Sequence, residues 1–147
     1  MELRFSVYTK IQKPIADVFD AVRNPEKLSK YFATGGASGP IEQGKTVTWR
    51  WADFPDASGD VHVKKVVPNQ LIVFEWAASE GGYNTTTEMK FEALNKSETI
   101  VTITESGWKD DDTGRKSSYG NCMGWSQMLS ALKAWLEYGI NLRRGAY

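Results

Sequence analysis

The sequence predicts a single α+β domain over residues 1–147, in which one long helix packs against an antiparallel sheet. Two observations carry this prediction. Between Thr46 and Glu105, five runs rich in Val, Ile, Thr and aromatic residues are separated by short turn sequences. A long segment near the C terminus then repeats apolar residues every three or four positions. Because these turns are too short for a parallel crossover, neighbouring strands are expected to run antiparallel.

The first predicted elements are one strand and two helices. Residues 4–9 alternate between apolar and polar side chains, as a strand with one buried face does. Pro14–Arg23 forms an amphipathic helix, because proline suits the first helical turn and the apolar residues share one face: Ile15, Val18, Phe19 and Val22. Asn24-Pro25 ends it, and Glu26–Phe32 is predicted to be a second, short helix.

The remaining elements are five strands and a long helix. The predicted strands are Thr46–Trp51, Gly59–Val67, Leu71–Ala77, Thr85–Leu94 and Thr99–Glu105. The helix is predicted between Tyr119 and Leu142. Its apolar stripe has steps of three and four residues, which place these side chains on one face: Cys122, Trp125, Leu129, Leu132, Leu136 and Ile140.

Composition excludes several classes of function. The chain has 18 Lys+Arg and 18 Asp+Glu, so it lacks the basic surface that nucleic acid or anionic membrane binding needs. One Cys and one His exclude an internal disulfide and a Cys- or His-based metal cage, so we expect no metal and no cofactor. The longest apolar run, Leu71–Phe74, cannot span a membrane. With no signal-peptide pattern after Met1, we expect a cytoplasmic protein.

One motif imitates a nucleotide-binding loop. Gly39–Thr46 reads Gly-Pro-Ile-Glu-Gln-Gly-Lys-Thr, which fits the phosphate-loop pattern. That loop works because a helix N-terminus follows it and directs backbone N–H groups at the phosphates. Here the motif is followed by the alternating run Val47–Trp51, which predicts a strand. The motif is therefore interpreted as a turn that leads into a strand.

Three other chemically active features are interpreted as structural. His62 lies opposite two valines on a strand and has no second histidine as a partner, so a solvent-exposed position is expected. Cys122 falls on the apolar stripe of the long helix, where a thiol packs as a small hydrophobic group. The acidic run Asp110–Asp112 lacks the further ligand positions of a calcium loop and is predicted to be a solvated loop.

The aromatic residues suggest a cavity. Six Trp, six Tyr and six Phe are a large share of the chain, and a sheet that curves around a helix seldom closes completely. We expect a cavity between the sheet and the helix, lined by Trp49, Trp51, Phe74, Trp76, Met89, Phe91 and Trp125. Glu105 alternates in phase with Val101 and Ile103, so it is predicted to face inward as a polar anchor.

Six segments occur in an order found in a known family: Ile15–Ala21, Asn24–Leu28 with Tyr31-Phe32, Val67–Trp76, Thr85–Thr87, Thr99–Trp108, and Gly124-Trp125 with the leucines that follow. Together they resemble the bacterial proteins similar to the C-terminal domain of the Hsp90 ATPase activator, in the START-like (Bet v 1-like, SRPBCC) superfamily. The resemblance covers Phe5 to about Leu142. It departs at Tyr31-Phe32, where family members commonly have Trp-Phe.

The resemblance implies the helix-grip fold: a curved antiparallel sheet around a long C-terminal helix, with two short helices after the first strand. Relatives hold lipids, sterols, polyketides or flavonoid-like molecules between sheet and helix, and a few branches catalyse cyclisations. The eukaryotic activator also has a separate N-terminal domain that dominates its action on the chaperone. At 147 residues, this chain is expected to lack that domain.

The sequence favours a binding protein that holds an apolar or aromatic small molecule, such as a lipid, polyketide or flavonoid-like compound. Two alternatives stay open. A cavity enzyme such as a cyclase or hydratase would need a buried acid or tyrosine, and its candidates are Glu75, Glu88, Glu105 and Tyr119. A protein-interaction module, either linked to a chaperone or acting as a toxin–antitoxin-like partner, would need an exposed apolar patch, and whether the chain has a protein partner or forms a homodimer is left open. Glu75 and Glu88 alternate with the aromatic face and are expected to point outward.

Overall fold

The computed structural model describes residues 1–147. Its elements, in chain order, are β1 (Leu3–Ile11), α1 (Ile15–Arg23), α2 (Pro25–Leu28), β2 (Gly36–Ala37), β3 (Thr46–Trp51), β4 (Phe54–Val67), β5 (Leu71–Ala77), β6 (Asn84–Asn95), β7 (Glu98–Trp108) and α3 (Asp112–Tyr138). The strands form one sheet in the order β1-β7-β6-β5-β4-β3-β2, and every neighbouring pair is antiparallel. The predicted α+β architecture is confirmed.

The long helix α3 buries the central part of the predicted apolar stripe against the sheet. Trp125, Leu129 and Leu132 are at most 2% exposed, and Met128 and Ala131 widen the buried face. These five residues belong to a core of 25 buried residues, which fills the space between the sheet and the helices. Cys122 and Leu136 of the predicted stripe are only partly buried. At about 25 cal/mol per Å² of apolar surface removed from water, this core is the main source of folding free energy.

The predicted bounds of the long helix are wrong at both ends. The helix begins at Asp112, because Oδ1 of Asp111 accepts a hydrogen bond from the Gly114 backbone N–H at 2.7 Å and caps the first turn. Asp110 and Asp111 lie in the exposed loop before the helix, as predicted, and Asp112 is the first residue of the helix. The helix ends at Tyr138, because Gly139 adopts a left-handed conformation (φ 67°). Ile140 lies beyond this end and is half exposed.

Three other boundaries also differ from the prediction. The short helix α2 stops at Leu28 and not at Phe32, and Tyr31 and Phe32 are buried in the turns that follow. Strand β4 begins at Phe54 and not at Gly59, because Phe54 and Ser58 pair with the end of β3. Residues 54–58 lack the alternation of apolar and polar side chains that predicts a strand. The two-residue strand β2, which was not predicted, pairs with β3 at the sheet edge.

The phosphate-loop-like motif leads into a strand, as its sequence context predicts. Thr46 is the first residue of β3, and no helix follows the loop. The backbone N–H of Gly44 donates to the Val63 carbonyl, and that of Lys45 donates to the Glu42 carbonyl. Since these amides are already bonded within the protein, the loop lacks the free N–H groups with which a phosphate loop holds its ligand.

Candidate functional site

The inner face of β7 carries one acidic side chain, Glu105, which is fully buried. Five hydrogen bonds converge on its carboxylate, and the donors are Trp76 Nε1 (3.0 Å), Thr85 Oγ1 (2.6 Å), Asn121 Nδ2 (3.0 and 3.1 Å) and Trp125 Nε1 (2.7 Å). Glu105 forms no salt bridge. Burying a charge is unfavourable unless hydrogen bonds replace its water, and this set of donors fits an ionised carboxylate.

Strand register and helix spacing bring these donors together. Trp76 of β5 lies opposite Thr85 of β6, and Thr87 of β6 lies opposite Glu105 of β7. Alternate residues of a strand share a face, so the strand members of the cluster all reach the inner side. On α3, Asn121 and Trp125 are four residues apart and face the sheet together. The alternation of Glu105 with Val101 and Ile103 correctly places its side chain inside.

The indole rings fixed by Glu105 begin an aromatic stack. The rings of Trp76 and Trp125 stack with centroids 5.5 Å apart and an interplanar angle of 28°. Phe32 stacks on Trp125 at 5.7 Å and meets the ring of Trp51 edge-on at 5.7 Å. Offset-stacked and edge-to-face arrangements are the favourable geometries of aromatic pairs. Four rings therefore form a rigid surface at one end of the core.

Behind this stack, side chains fill the space between sheet and helix. Trp49 and Phe74 are 0% exposed and pack edge-to-face with centroids 5.5 Å apart. Met89 is also fully buried, and Phe91 packs edge-on against Phe19 at 5.1 Å. These four predicted lining residues belong to the packed core. The eight predicted site residues therefore do not surround one common cavity.

A pocket of about 300 Å³ lies on the outer side of the aromatic stack. Its floor consists of Phe32, Trp51, Trp76 and Trp125, and its walls and rim are Phe54, Gly120, Asn121, Met123, Gly124, Gln127, Arg143 and Tyr147. Phe54 and Tyr147 are about half exposed and touch each other at the rim, with ring centroids 5.8 Å apart. Of the predicted lining residues, Trp51, Trp76 and Trp125 reach this pocket. Glu105 lies behind Trp76 and Trp125, to which it is hydrogen-bonded, and it does not line the pocket.

Arg143 closes one side of the pocket. Its Nε lies 3.1 Å from Oδ1 and 3.0 Å from Oδ2 of Asp53, and the side chains of this ion pair are only 13% and 15% exposed. The guanidinium carbon lies 5.8 Å from the centroid of the Phe32 ring and 4.8 Å from that of Tyr147. These are distances at which a cation interacts favourably with an aromatic face. The ion pair joins the segment after α3 to the turn between β3 and β4.

Several pocket residues were missed by the sequence analysis. Phe32 and Asn121 carry recognisable signals: Phe32 is a large apolar residue after a short helix, and Asn121 precedes Trp125 by one helical turn. Arg143 and Tyr147 carry none, because they follow the helix in a segment without periodicity. Their position depends on the contacts that the segment makes with β3 and β4.

A second groove adjoins the pocket, between α3 and the segment that follows it. Its volume is about 440 Å³, and it shares Met123, Gln127, Arg143 and Tyr147 with the pocket. Its remaining lining includes small or polar residues of the helix, such as Ser126 and Ser130. Because the groove has no comparable aromatic floor, the first pocket is the better candidate site for an apolar ligand.

The other candidate residues lie outside the pocket. Glu75 and Glu88 are on the outer face of the sheet and pair with lysines, at 3.4 and 3.9 Å. Tyr119 is 70% exposed on α3. His62 shares a hydrogen bond of 3.0 Å with the Thr46 hydroxyl through Nδ1, and Cys122 is half-buried.

No group of three or more His, Cys, Asp and Glu side chains is placed to hold a metal ion. None of the helices combines the length and hydropathy needed to cross a membrane.

The long helix held in the curved sheet, with a pocket between them, defines a helix-grip domain of the START-like superfamily. The family model described as activator of Hsp90 ATPase homolog 1-like protein matches residues 12–137, and the chain belongs to this family. No curated protein sequence matches the chain.

Solved structures agree with this assignment. Protein SSP2350 from Staphylococcus saprophyticus is 33% identical, with a TM-score of 0.77 over 95% of this chain and 96% of that one. Aha1 from Colwellia psychrerythraea, solved as a dimer in solution, is 24% identical, with a TM-score of 0.75 over 92% and 97% of the chains. CalU16 from Micromonospora echinospora is 13% identical, with a TM-score of 0.76 over 95% of this chain and 78% of that one. The last two likenesses establish the fold alone.

Proposed function

We propose that this protein binds an apolar or aromatic small molecule in the pocket above the aromatic stack. The observation that carries the proposal is the floor of four aromatic rings, held in place by packing and by the Glu105 hydrogen bonds. A pocket of about 300 Å³ suits a ligand of two or three fused rings. Ligands of this kind include flavonoid-like and polyketide-like phenols.

The expected affinity follows from the area that such a ligand would bury. A stacked ring system that removes about 500 Å² of apolar surface from water, counted on both partners, contributes about 12 kcal/mol. Loss of translational and rotational freedom opposes binding by at least about 4 kcal/mol. The remainder is at most about 8 kcal/mol, which sets a micromolar dissociation constant as the tightest that these apolar contacts alone would give. Apolar contacts are therefore sufficient for useful affinity.

The contacts of Glu105 favour binding over catalysis. General acid–base catalysis needs a group that can reach the substrate and exchange a proton with it. Glu105 is the acid nearest to the aromatic floor, yet both of its oxygens accept hydrogen bonds from protein donors, and it does not line the pocket. The titratable side chains that do line the pocket are Arg143 and Tyr147, and Arg143 is already held in an ion pair with Asp53.

The proposal can be tested with rim residues whose loss does not disturb the core. Flavonoids, fatty acids and polyketide-like phenols are titrated into the protein, with tryptophan fluorescence and melting temperature as the measurements. A ligand that stacks on Trp76 and Trp125 should quench their fluorescence saturably. Phe54→Ala and Tyr147→Ala each remove a half-exposed ring from the rim and should weaken binding by about tenfold, equivalent to about 1.4 kcal/mol.

Tyr138→Ala is the matched control, because Tyr138 is an exposed aromatic residue of α3 that does not line the pocket. This variant should bind like the wild type. If no compound in the screen quenches or stabilises the wild-type protein, the binding proposal fails, and a protein-interaction module becomes the better hypothesis.

A further inference from the structure

The guanidinium group of Arg143 has hydrogen-bonding capacity that the protein does not use. Its Nε is committed to Asp53, whereas its two terminal nitrogens form no hydrogen bond with any protein group. The side chain is nevertheless only 13% exposed, between the rings of Phe32 and Tyr147. The terminal nitrogens are not among the buried polar atoms that lack a partner, so they stay open to the pocket and can donate to a ligand.

From these unused donors we infer that the ligand is an aromatic acid, whose carboxylate binds the terminal nitrogens of Arg143 while its rings stack on the pocket floor. This inference rests on the proposed function and specifies the class of its ligand. The outer edge of a guanidinium presents two parallel N–H groups, and this geometry matches the two oxygens of a carboxylate.

The charges around the pocket favour an anion of this kind. Arg143 is the only Lys, Arg, Asp or Glu side chain among the lining residues, so no acidic group in the lining repels a carboxylate. Asp53 binds the Nε side of the guanidinium, which fixes the orientation of the planar group and leaves its other edge available. Because the site is partly shielded from water, the charge-assisted pair is stronger than the same pair on an open surface.

The arrangement also predicts selectivity. A neutral isostere of the acid would retain the stacking contacts with Trp76 and Trp125 but lose the ionic component of the Arg143 contact. The acid should therefore bind more tightly than its amide, and only the affinity of the acid should fall as salt concentration rises. Asp53 offsets part of the Arg143 charge, so removing the Asp53 charge should strengthen binding of the acid.

The test compares naphthoic acid with naphthamide by isothermal titration calorimetry at neutral pH. The wild type should bind the acid about tenfold more tightly than the amide, and Arg143→Gln should abolish this preference while leaving amide binding within about twofold. Asp53→Asn retains a side-chain oxygen that can accept the hydrogen bond from Arg143 Nε but removes the opposing charge, so it should increase the affinity for the acid. If Arg143→Gln does not fold, the Asp53→Asn variant alone tests whether Arg143 binds the carboxylate.

The possible outcomes separate this inference from the proposed function. Equal binding of acid and amide by the wild type, or equal weakening of both by Arg143→Gln, would overturn the acid-binding role while leaving the pocket as an apolar site. The same conclusion follows if Asp53→Asn leaves the preference unchanged or lowers it. If the wild type binds neither probe and no compound of the wider screen, the proposed function fails together with the inference.

Discussion

Replacing Glu105 by Gln tests whether the buried carboxylate organises this end of the core. If the amide oxygen takes the place of Oε2, the hydrogen bonds from Trp76, Thr85 and Asn121 can remain. The amide nitrogen then takes the place of Oε1 and faces the Trp125 Nε1 donor, which now lies 2.7 Å from that oxygen. Two donors would confront each other in a site that is closed to water.

The magnitude follows from these contacts. The unpaired Trp125 donor costs about 1–3 kcal/mol, and three bonds to a neutral acceptor lose about half the strength of charge-assisted ones. Relief of the desolvation of a buried carboxylate offsets part of this loss, as it does for buried ion pairs. We expect a net decrease of about 3 kcal/mol in the free energy of unfolding.

The assay is urea denaturation followed by far-ultraviolet circular dichroism, because the substitution itself alters tryptophan fluorescence. Glu75→Gln is the matched control: this glutamate lies on the solvent side of the sheet and forms a salt bridge of 3.4 Å with Lys64. Its loss should cost less than about 1 kcal/mol. If Glu105→Gln changes stability by no more than this control, or stabilises the protein, the carboxylate is not the organising group.

Two further predictions concern the long helix. Leu132→Ala should lower the free energy of unfolding by about 2–5 kcal/mol in urea denaturation, because Leu132 is fully buried. Ser130→Ala, on the exposed face of the helix, should lower it by about 0.5 kcal/mol or less. Similar losses from both variants would contradict the assigned buried face. Although burial opposes ionisation of Glu137, hydrogen bonds from Lys133 and the Gln12 backbone N–H, with the Lys133 and Lys13 charges, lower its pKa below the ordinary 4.5. The stabilising contribution of Glu137 is therefore present above about pH 4.5 and is lost as the pH falls through the lower pKa of the folded state. Glu137→Gln should flatten the decline in the free energy of unfolding between about pH 5 and 3. An unchanged slope would contradict this linkage.

Regular patterns in the sequence were sufficient to predict the fold. The stripe through Trp125, Leu129 and Leu132 identifies the buried face of α3, and period-two alternation orients Glu105 correctly, because both periods follow from backbone geometry. The helix ends depend instead on single residues, Asp111 and Gly139, whose capping signals are local. These signals are present in the sequence, so the error in the helix bounds was avoidable.

The candidate site was less predictable, because it depends on how side chains share space. Trp49 and Phe74 are of the residue types that line cavities, yet their rings pack against each other and fill the volume that was expected to be empty. Whether an aromatic cluster closes or leaves a cavity depends on ring orientations, and period-two or period-3.6 patterns contain no information about these orientations. Arg143 and Tyr147 reach the site through contacts distant in sequence, with Asp53 and Phe54.

The buried carboxylate connects the stability of the domain to the shape of the pocket. A leucine at position 105 could fill a similar volume without a charge, so packing alone does not require an acid there. Glu105 instead fixes the indole N–H groups of Trp76 and Trp125, and both of these rings belong to the pocket floor. A floor whose orientation is set before binding loses little conformational entropy when a planar ligand stacks on it. In the proposed function, Glu105 therefore acts from behind the floor, by positioning two tryptophans and not by contacting the ligand.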